Sequence, residues 1–236
     1  NRLLDIQESA NKMMYFILDE GGCRIAPNQV KPEFQMYSKQ NGTSGKGLVR
    51  TPDGQILYGY ARTLSSHDTM DRRFPVFHNA SLRRFSHFIN KSNNLYISSS
   101  EGIFLVKDTI TINLSLSDPR LNCRVNKFIE LANGDIVCAT HGDGVIILRD
   151  NQIFQQITKS DGLSGFICRN ITQYNDTLYV ATNEGISVIT QYAEKYQVIQ
   201  KINVSVGLAA DDVNSVFIKD NKLYATTSRG ISILSL

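Results

Sequence analysis

Three arginines, Arg84, Arg124 and Arg169, recur along this chain at intervals of 40 and 45 residues, each at or near the entry to an apolar-alternating run. A guanidinium is planar, permanently charged and presents several donors, so it suits anionic or hydroxyl-rich ligands. His141, Asp143, Glu184 and Arg229 stand at glycine-containing turns, and Asp211 and Asp212 precede a further run. Gathered on one surface, these residues would form a polar rim able to hydrogen-bond a glycan or another polar ligand. For any one of them, water at a turn is sufficient reason to be polar.

Other chemistry finds less support. His67, Asp68 and Asp71 are metal-ligand types, and His141 with Asp143 could pair as a base and its orienter. Neither set follows a ligand or catalytic spacing, and there are only four histidines in the chain. No nucleophile elbow, paired-carboxylate motif or phosphate-cradling glycine loop occurs. The sequence therefore predicts no catalytic residue, metal or cofactor. A net charge of +3, with no long basic run, argues against nucleic acid as a partner.

The elements that must position these residues are repeated. "LYVATNEGISVI" (178–189) has a near copy in "LYATTSRGISIL" (223–234), and looser ones in "IVCATHGDGVIIL" (136–148) and "LYISSSEGIFLV" (95–106). Their turn glycines, Gly102, Gly144, Gly185 and Gly230, are 42, 41 and 45 residues apart. In each copy a strand ends in Thr or Ser and reverses at a glycine, which tolerates the positive φ of a tight hairpin. A strand and short turn precede each hairpin, and a fourth strand follows the first three, at Thr109, Asn151 and Tyr196.

Four short strands per period of about 40 residues predict all-β meander sheets packed radially, a β-propeller. A parallel β-helix is the main rival, but its repeats are shorter and lack paired hairpin turns. The reading is a single propeller domain or propeller fragment over residues 1–236, with about six four-stranded antiparallel blades, or seven if one lies outside the chain.

Upstream, "GLVRTPDGQILYGYA" (47–61) is a fifth copy turning at Pro52, Asp53 and Gly54; the polar stretch 62–73 then reads as a loop insertion. Residues 13–27 fit a sixth hairpin with 34–37 as its outer strand, although Leu3, Ile6, Ala10, Met13 and Ile17 also fall at helical spacing. The last copy ends after its third strand, so the stretch 2–6 is expected to supply the missing outer strand and close the ring. Tyr58, Tyr96, Tyr179 and Tyr224 recur at matched positions and are expected to pack between blades.

The longest apolar run is about six residues, against the ~20 a spanning helix needs. The chain begins at Asn1 with no leader-like segment, which reads as a processed or excised piece. Aligned on the repeat, Cys168 falls with Val125 and Val213, and Cys138 with Val180 and Ala225, so both are expected as buried free thiols. A pairing of Cys23 stays open, and with it the redox compartment.

The stretch "SDGLSGFICRNITQYNDTLYVATNEGISVI" (160–189) resembles the two-component regulator propeller repeat. Asp161, Gly162, Leu163 and Ser164 match that family's opening, and Tyr179, Thr182 and Gly185 its close. Gly207, Leu208, Tyr224, Thr227 and Gly230 form a looser copy; "SDPRLNCRV" lacks the Gly-Leu opening, and the chain has no Trp. The resemblance implies an extracytoplasmic, ligand-sensing propeller of a bacterial two-component sensor, a histidine kinase or hybrid. In that setting the kinase and membrane parts lie elsewhere in the parent protein, many members respond to glycan fragments, and homodimerisation runs through the parent sensor. The alternatives are a propeller-fold lyase or hydrolase using His141, and a protein-binding scaffold.

Overall fold

The computed structural model describes residues 3–19, 21–36, 45–60, 64–65, 84–108 and 110–236. Among them the chain forms six antiparallel sheets. The first contains β1 (Leu3–Glu8), β2 (Met14–Leu18), β3 (Gly21–Ile25) and β4 (Glu33–Met36). The second has β5 (Gly45–Arg50), β6 (Ile56–Tyr60) and the two-residue β7 (Leu64–Ser65). The third has β8 (Arg84–Ile89), β9 (Leu95–Ser99), β10 (Gly102–Lys107) and β11 (Ile110–Asn113). Next come β12 (Val125–Glu130), β13 (Ile136–Thr140), β14 (Val145–Arg149) and β15 (Gln152–Ile157), then β16 (Cys168–Tyr174), β17 (Thr177–Thr182), β18 (Gly185–Tyr192) and β19 (Lys195–Ile202). The last sheet has β20 (Val213–Lys219), β21 (Lys222–Thr227) and β22 (Gly230–Ser235).

Each sheet is a meander in chain order, which short turns between antiparallel strands dictate. Two expectations are corrected. The second and sixth sheets have three strands among the described residues, not four. Residues 3–6 do not close the last sheet: Leu3 pairs with Leu18 and Ile6 with Phe16, so this segment is the first strand of its own sheet. The helical spacing over the same stretch is also not realised, because β1 and β2 bond to each other edge to edge. The expected hairpin and outer strand in this region form as β2, β3 and β4. Of the 62–73 insertion only Leu64 and Ser65 are described, and they pair with Gly59 and Tyr58; His67, Asp68 and Asp71 lie outside the described residues.

The chain divides into two compact units, residues 1–122 and 123–236. In the first, Ile17 of the first sheet packs with Leu48, Ile56 and Tyr58 of the second, and Val49 and Leu57 pack with Ile97, Phe104 and Val106 of the third. In the second unit, Val137, Val145 and Ile147 of the fourth sheet meet Ile171, Val180 and Ile189 of the fifth. Ile186 and Val188 of the fifth sheet in turn meet Val213, Val216 and Ala225 of the sixth. A meander sheet that is apolar on both faces excludes water only when stacked face to face, and each unit does this with three sheets.

The recurring Thr or Ser closes its turn in four copies. Thr140 Oγ1 donates to Gly144 O (2.7 Å) and accepts from Asp143 N (2.8 Å). Thr182 does the same with Gly185 and Glu184, Thr227 with Gly230 and Arg229, and Ser99 with Gly102 and Glu101. Gly144 has φ of 73°, and a Cβ there would lie 2.2 Å from Ile157 O, so both conformation and space demand glycine.

The Asp-Gly-Leu-Ser stretch is a connector between sheets. Asp161 accepts from Thr158 N and Oγ1, Gly162 takes φ of 95°, and Leu163 is fully buried. Ser164 N then donates to Ser187 Oγ of the fifth sheet at 2.8 Å. The looser copy repeats this with Gly207 (φ 113°), buried Leu208 and a bond from Ala209 N to Ser232 Oγ.

All four cysteines are buried and free. Cys168, Val125 and Val213 are wholly inaccessible at matched positions, as are Cys138, Val180 and Ala225. Tyr58, Tyr96 and Tyr179 are buried and Tyr224 half-buried, in keeping with packing roles.

Candidate functional site

Within each sheet of the second unit, the entry to the inner strand and the turn between the second and third strands lie at one end. His141 N donates to Arg124 O (2.8 Å), Asn183 N to Ile167 O (3.2 Å) and Ser228 N to Asp212 O (3.0 Å). These three bonds are equivalent by register. Successive sheets are tied at the same end, by Gly144 N to Phe166 O and by Gly185 N to Asp211 O.

The inner strands share one irregularity that sets the direction of the rim side chains. Pairing slips by one residue between Leu3 and Asp5, Gly45 and Gly47, Arg84 and Ser86, Val125 and Lys127, Cys168 and Asn170, and Val213 and Ser215. Each slip places one extra residue on the inner strand, a bulge that re-aims its side chain. Asn126, Arg169 and Asn214 are the bulge residues of the second unit.

The expected arginine set is therefore not one register. Arg124 precedes its strand by one residue, Arg169 occupies the bulge, and Arg84 is the first paired residue, opposite Ser99. The side chain of Arg84 lies outside the described residues. Arg169 is half-buried; its guanidinium pairs with Asp212 and donates to Val213 O (3.2 Å). Arg124 is exposed, and His141 beside it is exposed with its Nδ1 3.4 Å from Asn126 Nδ2.

Arg124, His141, Arg169 and Asp212 are thus brought to one locality. Partial burial, then the positive charges of Arg124 and Arg169, hold the His141 imidazole below its ordinary pKa of 6.5. The charged imidazolium is thereby disfavoured. Asp143 is exposed on the same turn as His141, where its carbonyl accepts from Gln156 Nε2 (3.0 Å). Glu184 is drawn away: it pairs with Lys159 at 2.6 Å, which lowers its pKa. Arg229 is exposed on the turn that bonds Asp212.

Sequence reasoning missed Phe166, which is 47% exposed in the entry loop that receives Gly144 N. An exposed aromatic in a loop is the one signal that pointed to it. It also missed a cavity of about 460 Å³ at the opposite end of the fourth and fifth sheets, lined by Leu131, Asn133, Gln173, Asp176, Gln191 and Tyr196 among others. Among the described residues, no cluster of His, Cys, Asp or Glu has the composition of a metal site, and no helix is long and apolar enough to cross a membrane.

Solved structures share this fold at low identity. The extracellular domain of the putative hybrid two-component system BT3049 from B. thetaiotaomicron matches with a TM-score of 0.74 and 18% identity, over 99% of this chain and 33% of that one. The extracellular domain of the putative one-component system BT4673 from the same organism matches with a TM-score of 0.75 and 12% identity, over 100% and 34%. Virginiamycin B lyase from Staphylococcus aureus matches with a TM-score of 0.70 and 11% identity, over 99% and 84%. The chain spans about a third of the length of the two extracellular domains. No family model and no curated protein matches the sequence. These likenesses establish the fold: the chain is all-β, of β-propeller type, with blades of three or four antiparallel strands.

Proposed function

We propose that this chain is a non-catalytic, ligand-sensing propeller domain or segment of an extracytoplasmic ectodomain in a two-component system sensor. Its ligand is a glycan or another polar molecule, held at the rim by Arg124, Arg169, His141, Asp143 and Arg229. Asp212 belongs to the same rim by orienting Arg169, and Glu184 stands at a neighbouring turn paired with Lys159. Binding would bias the arrangement of a homodimeric parent sensor through differential affinity for its two states.

The observation that carries this reading is the locality of Arg124, Arg169 and His141 around the entry to β16, tied by the bond from His141 N to Arg124 O and the contact of Asn126 with both His141 and Cys168; partial burial and then the two guanidinium charges disfavour protonation of the imidazole there. Such a site favours a carboxylate- or sulfate-bearing sugar over a neutral one. Phe166 adds an apolar face for a sugar ring.

The test is calorimetric titration with acidic oligosaccharides, oligogalacturonates and sulfated disaccharides, against neutral glucans. Saturable binding of an acidic member, weakened about tenfold or more by Arg124→Ala, is expected for one lost charge-assisted contact. Binding that survives Arg124→Ala unchanged would discard the rim. The neutral His141 also fits a general base, as in a lyase; turnover of the same panel that His141→Ala abolishes would replace the sensor reading.

A further inference from the structure

We infer that the cavity at the end of the fourth and fifth sheets opposite the rim is a binding site for a small organic cation, a primary amine carried on an apolar body. This does not rest on the sensor reading. The cavity has a volume of about 460 Å³, within the range of small-molecule sites. Its walls come from the turn between β12 and β13, from the end of β16 with the turn into β17, and from the end of β18 with the turn into β19.

Strand alternation puts amides where the core would otherwise continue. Ile171, Leu178, Ile189 and Tyr196 of the fifth sheet are buried in the cluster that faces the fourth sheet. Gln173 and Gln191 lie two residues beyond Ile171 and Ile189 and so share that face, paired with Leu178 and Tyr196. The sixth sheet shows the alternative. Ile171 faces Val180 as Val216 faces Ala225, which makes Ile218 the counterpart of Gln173. Ile218 packs against the core of its own interface, whereas Gln173 lines an open space.

Each glutamine is held by its own amide nitrogen. Gln173 Nε2 donates to Asn175 O (2.9 Å) and Gln191 Nε2 to Ala193 O (3.3 Å). A carbonyl can only accept, so the nitrogen must face the turn and Oε1 is turned away from it. Neither Oε1 has a partner among the described residues, and neither has the Asp176 carboxylate. Asp176 is the one charged side chain of the lining; Arg149, beside the same turns, is matched by Asp135 and Glu194. Three acceptors, one of them charged, exclude an anion and outnumber the single donor of a hydroxyl. An ammonium supplies three donors and the opposite charge. Buried Leu131, Leu178 and Tyr196 in the lining suit the apolar body. The preference is the reverse of that at the arginine rim.

The test uses the intact chain and benzylamine as the probe, with benzyl alcohol as the neutral isostere and benzoate as the anion. Amide NMR is expected to show saturable shifts at residues 131–135, 173–178 and 191–196, with a Kd of about 1 mM or tighter. The alcohol should bind about tenfold more weakly, and Asp176→Asn should weaken the amine about tenfold while leaving the alcohol unchanged. Gln173→Ile, which copies the sixth sheet, should fill the space and weaken both without lowering the thermal midpoint. Absence of saturable shifts with benzylamine, equal binding of amine and alcohol, or tighter binding of benzoate would overturn the inference. So would amine binding that Asp176→Asn leaves unchanged, or shifts centred on Arg124 and His141. The comparison of the three probes on the wild type stands even if a variant does not fold.

Discussion

The side-chain amide of Asn126 donates to the carbonyl of Cys168 at 2.8 Å, joining the bulge of one inner strand to the first residue of the next. Arg169 repeats the relationship one sheet later, donating to Val213 O. The bulge residue is thus a staple between consecutive sheets, and Arg169 serves packing as well as the rim. Asn126→Ala should lower stability by about 1 kcal/mol, and Arg169→Ala by about 1–2 kcal/mol because it also releases Asp212. Urea denaturation with unchanged m-values is the measurement.

A second bridge joins the fourth and fifth sheets through Asp135. Its carboxylate, 2% exposed, takes Arg149 Nε and a terminal nitrogen at 2.9 Å each, Tyr196 OH at 2.9 Å and Asn133 Nδ2 at 2.9 Å. Arg149 also stacks 3.6 Å from the centre of the Phe154 ring. Asp135→Asn leaves the guanidinium with only the exposed carboxylate of Glu194, 3.7 Å away, and should cost about 2 kcal/mol in urea denaturation. Burial pushes the Asp135 pKa up, but the bonds from Arg149, Tyr196 and Asn133 together outweigh it and the net shift is downward. A depressed folded pKa contributes stability above the unfolded value near 4, lost as pH falls through the folded one. The wild type should therefore lose the advantage over Asp135→Asn in acid.

His141 offers a direct reading of the rim field. Its imidazole should titrate below 6.5 when followed by proton NMR, because burial and then Arg124 and Arg169 disfavour the charged form. Arg124→Ala should move the midpoint upward. A midpoint unmoved by that substitution would separate His141 from the arginine pair.

Glycine substitutions distinguish conformation from space. Gly134 has φ of 87° with nothing near its absent Cβ, whereas Gly144 has φ of 73° and a carbonyl at 2.2 Å. Gly134→Ala should cost about 1 kcal/mol, the left-handed penalty alone. Gly144→Ala adds displacement of β15 and should cost about 3 kcal/mol or prevent soluble expression. Thermal melts of the two variants make the comparison.

The thiols should be silent in the native state. Burial pushes Cys123 and Cys168 up to about 12, and Cys138 well above its ordinary value. A thiol-reactive dye at pH 8 should label none of these three until denaturant is added.

What the sequence determined by itself was everything local and periodic. Alternation set the strands, Gly102, Gly144, Gly185 and Gly230 set the hairpins, and the preceding Thr or Ser closed them, because these are interactions between residues a few positions apart. Repeat alignment likewise placed Cys138 and Cys168 in the core without coordinates.

Tertiary structure decided the rest. Arg84, Arg124 and Arg169, 40 and 45 residues apart, occupy three different registers, the first paired residue, the residue before the strand and the bulge, and only strand pairing assigns them. Whether residues 3–6 join β2 or the far end of the chain is a choice between strand partners of similar composition, and the short turn at 9–13 favours the local one. With residues 3–6 in the first sheet, β20, β21 and β22 form a three-stranded sheet among the described residues.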